Sequence, residues 1–295
     1  MTNVRIVKKF VQKLKGNTMN NQIQNQKKVA FLTLGCKVNS YETEAMEELF
    51  KEASYTVVDF NEQADIYVVN TCTVTNIADR KSRQMLHKAK KTNKDAVVVA
   101  VGCYVQAAKD VLEKDEAIDL VVGNNQKKQI VSVVEAYLRD EACREAVIDI
   151  AHDSEYEELT IGAIAEKTRA YMKIQDGCNQ FCSYCIIPYA RGRIRSRKQE
   201  DILAEVHRLV EKGYKEVVLT GIHLSSYGME SSTVEEYDNA INDAKHTPLL
   251  QIIMKISEIE GIERIRLGSL EPQIVTEEFA TRLSKLTKIC PHFHL

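Results

Sequence analysis

The chain has 295 residues, 44% hydrophobic and 28% charged, with a formal net charge of −2. That balance describes a soluble globular protein with room for two domains. No apolar run reaches the length of a membrane span, and the N-terminus lacks the apolar core of a signal peptide, so a cytoplasmic protein is expected. In a reducing compartment its eight cysteines point to metal or redox use rather than disulfides.

Residues 1–28 hold seven Lys/Arg and no acid. They read as a basic, disordered tail, or as residues upstream of a start at Met19, in preference to an RNA-binding arm. From Val29 apolar runs alternate with amphipathic stretches, and residues 29–140 read as a first domain. Strands are expected at Val29–Leu34, Tyr55–Phe60, Ile66–Val69, Ala96–Val101 and Leu120–Val122. Helices are expected at Glu42–Glu52, Ile77–Lys91, Val105–Glu113 and Gln129–Leu138, the second of them basic. This rhythm predicts an α/β fold with a five-strand parallel sheet in the flavodoxin-like order 2-1-3-4-5.

Cys36, Cys72 and Cys103 each follow one of these strands. In that strand order they lie past neighbouring strands about 4.8 Å apart, on the carboxyl edge where open α/β sheets bind ligands. A lone cysteine there is usually a small buried hydrophobe. Three at matched positions read as a metal site. Cys143 and Cys290 show no such placement.

Residues 141–168 are expected to be an acidic linker with local β structure, since 140–166 hold nine Asp/Glu against one Arg. A second domain is expected over 169–295, opening with a strand at Arg169–Gln175 that delivers Cys178. Helices follow at Asp201–Lys212, Leu249–Ile259 and Glu277–Leu286, and strands at Glu216–Leu219, Arg264–Leu267 and His292–Leu295. This is the rhythm of a (β/α) barrel, with chemistry at the carboxyl ends of its strands.

Cys178, Cys182 and Cys185 form a C-x3-C-x2-C run. Three thiolates can hold three irons of a [4Fe-4S] cubane and leave the fourth open, although such sites usually have a fourth cysteine nearby. Structural zinc would want a fourth protein ligand, and no His follows until His207. Downstream, Arg191, Arg193, Arg195 and Arg197 alternate and Lys198 follows. An extended segment would put the four guanidinium groups on one face, as a row for RNA phosphates or as a solvated charged strand.

The stretch QDGCNQFCSYCIIPYARGRIRSR resembles the radical S-adenosylmethionine (SAM) signature, and more narrowly the methylthiotransferases that modify tRNA. VAFLTLGCKVNSYETE, VVNTCTVTNIADRKSRQ and VVAVGCYVQ are similar to the N-terminal domain of the same family. TCTVTNIADRKSRQ and LTGIHLSSYG lean toward its threonylcarbamoyladenosine branch. The resemblance implies two [4Fe-4S] clusters, one on Cys178, Cys182 and Cys185 and an auxiliary one on Cys36, Cys72 and Cys103. It implies SAM beside Tyr184 and at the strand ends that carry Thr220, Gly221, Ser269 and Glu271, four residues that ordinary turn chemistry would also explain.

The family fold is a six-strand partial barrel, a (β/α)6 unit, so a chain ending at Leu295 reads as incomplete and is expected to be inactive alone. The implied reaction is methylthiolation of carbon 2 of N6-threonylcarbamoyladenosine next to the anticodon. SAM serves as radical source and methyl donor, tRNA is the substrate, and a small electron-transfer protein is the reductant. An unactivated C–H bond needs such a cofactor, because no protein base will ionise it. The rivals are the same chemistry on isopentenyladenosine tRNA or on a ribosomal-protein aspartate, and a non-catalytic iron–sulfur or zinc protein that binds RNA.

Overall fold

A computed structural model of the chain describes residues 26–140, 145–161, 169–230 and 247–295. The tail expected at 1–28 therefore lies almost wholly outside the described residues. The first sheet is built from β1 (Lys28–Thr33), β2 (Thr56–Val58), β3 (Ile66–Thr71), β4 (Val97–Gly102), β5 (Leu120–Val122) and β6 (Glu145–Ala146). Its order is β2-β1-β3-β4-β5-β6 and every pairing is parallel. The five-strand flavodoxin-like order is present, and the acidic stretch after residue 140 adds a two-residue sixth strand.

β3 and β4 are buried along their whole length, as continuous apolar runs in a sheet covered on both faces must be. Leu86 and Ala89 of α2 (Asn76–Thr92) pack on one face, and Met46 and Phe50 of α1 (Lys37–Glu52) on the other. α1 has a second buried stripe. Tyr41 and Ala45 belong to the core of the second domain, and the Tyr41 hydroxyl donates to the Leu159 carbonyl. One helix thus packs against both cores.

The helix expected at Val105–Glu113 is broken at Ala108 into α3 (Cys103–Ala107) and α4 (Lys109–Leu112). α5 (Ile130–Leu138) completes the first domain. In the second, β7 (Arg169–Lys173), β10 (Glu216–Thr220) and β11 (Arg264–Leu267) form a parallel sheet in the order β11-β10-β7. α7 (Gln199–Glu211) and α8 (Pro248–Glu258) are the crossovers, and α9 (Glu277–Ser284) follows β11. A short antiparallel ribbon joins β8 (Gln175–Asp176) to β9 (Arg195–Ser196) and closes the loop that carries Cys178, Cys182 and Cys185.

No strand forms at the expected His292–Leu295. Ile289 and His294 make isolated parallel bridges to Ile265 and Ser269 instead. Pro291 has no N–H to give a ladder, and residues 291–295 are exposed. The described residues of the second domain thus form three parallel strands and the start of a fourth. No described helix is long and apolar enough to cross a membrane.

Candidate metal centres

Cys36 precedes the first turn of α1, Cys72 follows β3, and Cys103 opens α3 directly after β4. β1, β3 and β4 are neighbours in register, with Thr33 opposite Asn70 and Thr71 opposite Gly102. All three thiols therefore sit at one carboxyl edge. Gly35 shows how close the turns come, since a Cβ on it would lie 2.9 Å from the Cys72 Sγ. Burial pushes the Cys72 thiol up; the Val74 N–H works against this, while Cys103 and Cys36 add to it.

The second set lies in the loop closed by the β8–β9 ribbon. The Cys178 N–H donates to the Gly192 carbonyl at 3.1 Å, and the Cys185 N–H to the Cys182 carbonyl at 2.9 Å. The Asn179 Oδ1 accepts the Ile194 N–H at 3.1 Å. Arg193 stacks 4.4 Å from the Phe181 ring centre, and Phe181 meets Tyr189 edge to face at 5.6 Å. Gly177 is the tightest point: it has φ +73°, and a Cβ there would lie 1.8 Å from the Arg193 carbonyl oxygen. Cys178 is buried, Cys185 half-buried and Cys182 exposed. Burial raises the Cys178 thiol; the Gln180 N–H opposes this, and Cys185, Cys182 and Glu271 raise it further.

Among the described residues, no three His, Cys, Asp or Glu side chains converge as the ligands of a single metal ion. A cubane takes each thiolate on a different iron, so its ligands stand wider apart than those of one ion. The donors around the sulfurs suit anionic ligands. The Arg191 Nε lies 3.1 Å and the Asn124 Nδ2 3.6 Å from the Cys103 Sγ. Three thiols at each site, with N–H groups aimed at sulfur, fit an iron–sulfur cluster.

Between the two sets lies a buried ionic network. Glu42 of α1 pairs with Arg191 at 2.6 Å, Lys173 at 3.0 Å and Lys127 at 3.2 Å. Asp176 pairs with Lys173 at 3.1 Å, Arg191 at 3.3 Å and Arg195 at 3.9 Å. Burial works against the Glu42 charge, yet Arg191, Lys127 and Lys173 hold its carboxyl well below the usual range. Asp176 is also buried and is held low by Lys173, Arg191 and Arg195.

Residues 28–123 match the uncharacterized protein family UPF0004, and residues 172–295 match the radical SAM superfamily. The threonylcarbamoyladenosine tRNA methylthiotransferase MtaB of Bacillus subtilis is 41% identical over 268 residues, which are 90% of this chain and 56% of that protein. Its namesake in Aquifex aeolicus is also 41% identical, over 91% of this chain and 62% of its own length. The chain thus joins a UPF0004 region to a radical SAM region and is similar over about nine-tenths of its length to curated methylthiotransferases. It spans 56–62% of the length of these two relatives. The tRNA-2-methylthio-N(6)-dimethylallyladenosine synthase of Finegoldia magna, a further relative, is 32% identical over 95% of this chain. The fold is shared with the solved radical S-adenosylmethionine methyltransferase TsrM from Kitasatospora setae, at a TM-score of 0.56 and 15% identity over 90% of this chain.

The arginine row needs correction. Arg191, Arg195 and Arg197 are buried, and only Arg193 and Lys198 of the five expected RNA-binding residues are exposed. The segment is not extended throughout, because Ile187–Arg191 is a helix, α6. Arg195 donates to the Arg191 and Arg193 carbonyls at 2.8 and 3.2 Å, and Arg197 pairs with Glu205 and with Glu158.

On the expected SAM side, Tyr184 is 90% exposed. Thr220 ends β10, and Gly221 packs on Gln175. The Ser269 Oγ lies 2.9 Å from the His294 Nδ1. Glu271 meets the His223 Nε2 at 2.9 Å, and its own N–H donates to the Ser225 hydroxyl oxygen at 3.1 Å. Sequence reasoning missed His223, Gln175 and Glu42. His223 stood in LTGIHLSSYG and was open to notice, whereas the role of Glu42 rests on partners far along the chain.

Proposed function

We propose that this chain carries the cluster-binding part of a tRNA methylthiotransferase that modifies carbon 2 of N6-threonylcarbamoyladenosine. The supporting observation is the pair of three-cysteine sets, one at the carboxyl edge of the first sheet and one in the loop that follows β7. Cys178, Cys182 and Cys185 would hold one [4Fe-4S] cluster, and Cys36, Cys72 and Cys103 the auxiliary one. With SAM bound beside it, the first cluster would supply the radical chemistry that an unactivated C–H bond requires.

The chain's own residues hold and shield these groups. The Gly192 carbonyl fixes the Cys178 backbone, and the Phe181–Arg193 stack covers the loop. Thr220, Gly221, Ser269 and Glu271 stand at the carboxyl ends of β10 and β11, where SAM would lie, with the exposed Tyr184 ring free to meet its adenine. Arg193 and Lys198 remain for RNA phosphates. A small cytoplasmic electron-transfer protein would be the reductant. Domain limits of 29–140 and 169–295 suit this division, with 141–168 between them.

The test is anaerobic reconstitution followed by iron and sulfide analysis. About eight irons per chain are expected for two cubanes. Changing Cys178, Cys182 and Cys185 together to Ala should remove about half. Zinc in place of iron, or full iron in the triple variant, sinks the assignment. Nucleoside mass spectrometry of tRNA incubated with a reconstituted chain extended to the length of its relatives then separates the threonylcarbamoyl substrate from the dimethylallyl one.

A further inference from the structure

Arg191 touches the surroundings of both cysteine sets. It ends α6, beside the Gly192 whose carbonyl holds Cys178. Its side chain is fully buried and points the other way, into the first domain. Nη1 donates to Glu42 at 2.6 Å and to Asp176 at 3.3 Å, and Nη2 to Asn39 at 2.5 Å and to Glu42 at 3.2 Å. That leaves Nε, whose partner is the Cys103 sulfur at 3.1 Å.

A protonated thiol is a weak acceptor for a buried cation, whereas a metal-bound thiolate is a charged one. The charge around it leans the same way. Four cations, Lys127, Lys173, Arg191 and Arg195, face three carboxylates, Glu42, Asp176 and Glu157. Burial works against ionisation of the third carboxylate. The network is therefore short of negative charge, and Cys103 is the group that its Arg191 Nε meets. A cubane on three thiolates is anionic and becomes more so on reduction.

The geometry points to Arg191 as a positioning residue of the auxiliary cluster, donating its Nε–H to the ligating sulfur of Cys103 and raising the reduction potential of that cluster. Hydrogen bonds and positive charge at a ligating sulfur stabilise the reduced, more negative state. The guanidinium geometry matters, because a fork reaches sulfur, amide and two carboxylates at once where an ammonium is a single point. The inference rests on the two-cluster reading above.

The experiment uses the full chain with Cys178, Cys182 and Cys185 changed to Ala, so that only auxiliary iron remains. In this background Arg191→Lys keeps the charge beside Glu42 and Asp176 but removes the fork. The expected result is retained iron with a potential shifted downward in an EPR-monitored redox titration. Guanidino-15N arginine in the same background with Arg191 unsubstituted should give a nitrogen coupling in pulsed EPR of the reduced cluster, which does not depend on an Arg191 variant folding. An unchanged potential in Arg191→Lys, or absence of that coupling, overturns the proposal. Absence of iron from the background chain itself overturns the two-cluster reading, and this inference with it.

Discussion

At the scale of single residues, Gly177 decides whether the cysteine loop can exist. A side chain there meets the Arg193 carbonyl and must also take a left-handed backbone. Gly177→Ala should cost about 3 kcal/mol or more in thermal or denaturant unfolding. On the two-cluster proposal it should also lose the loop's share of iron while the share assigned to Cys36, Cys72 and Cys103 persists. A variant with normal stability and full iron would show that the loop can reform around the methyl group. Arg197 offers a second test. Its charge lies in the interior with Glu205 buried beside it, whereas Glu158 is 35% exposed. Burial opposes the Arg197 charge, and Glu205, Tyr41, Tyr156 and Glu158 keep it protonated. Glu205→Ala should therefore cost about 3–5 kcal/mol, as a buried cation losing its partner does. Glu158→Ala should cost about 1 kcal/mol or less in the same melts. Equal effects would mean that the exposed carboxylate carries the pairing.

At the scale of elements, the strands were legible because each is an apolar run bounded by turn residues. β11 forms at Arg264–Leu267 as expected, and the other long strands agree to within a residue or two. The placement of Cys36, Cys72 and Cys103 was legible for the same reason, since parallel strands fix where their ends go. Elements two residues long, such as β6, β8 and β9, carry no periodicity to detect. The arginine row failed for a different reason. Alternating charge is what a solvated strand shows, and only non-local partners can reverse that reading. Glu42 lies 149 residues before Arg191 in the chain. The break at Ala108 was hidden as well, because nothing from Val105 to Glu113 is a helix breaker by type.

At the scale of the whole molecule, the buried network ties the two domains into one acid-sensitive unit. Glu42 belongs to the first domain, and Asp176, Lys173 and Arg191 to the second. Both carboxyls are held below their ordinary values in the fold. An acid with a depressed folded pKa stabilises the fold fully above its unfolded value of about 4. That stability is lost as pH falls below about 4 toward the folded value, because the unfolded chain then binds more protons. Glu157 acts in the opposite sense, since burial raises it, and it offsets part of the loss. Acid titration followed by circular dichroism and by proteolysis should show both domains unfolding together below about pH 4. Separate transitions for fragments of the two domains would show that the network does not couple them.

The two cysteine sets differ in what must happen before either exists. Positions 178 to 185 are close along the chain, so their thiols are near one another even in an unfolded polypeptide. Positions 36, 72 and 103 come together only when β1, β3 and β4 have paired. Iron delivered during synthesis would therefore meet a ready local chelate in the loop, but a sheet-dependent one in the first domain. On the two-cluster proposal, loading order would be a clock for folding: the loop would fill early, and the sheet site only once the parallel strands had closed. Iron starvation or a slow-folding variant would leave the chain partly loaded, with the first-domain site the empty one.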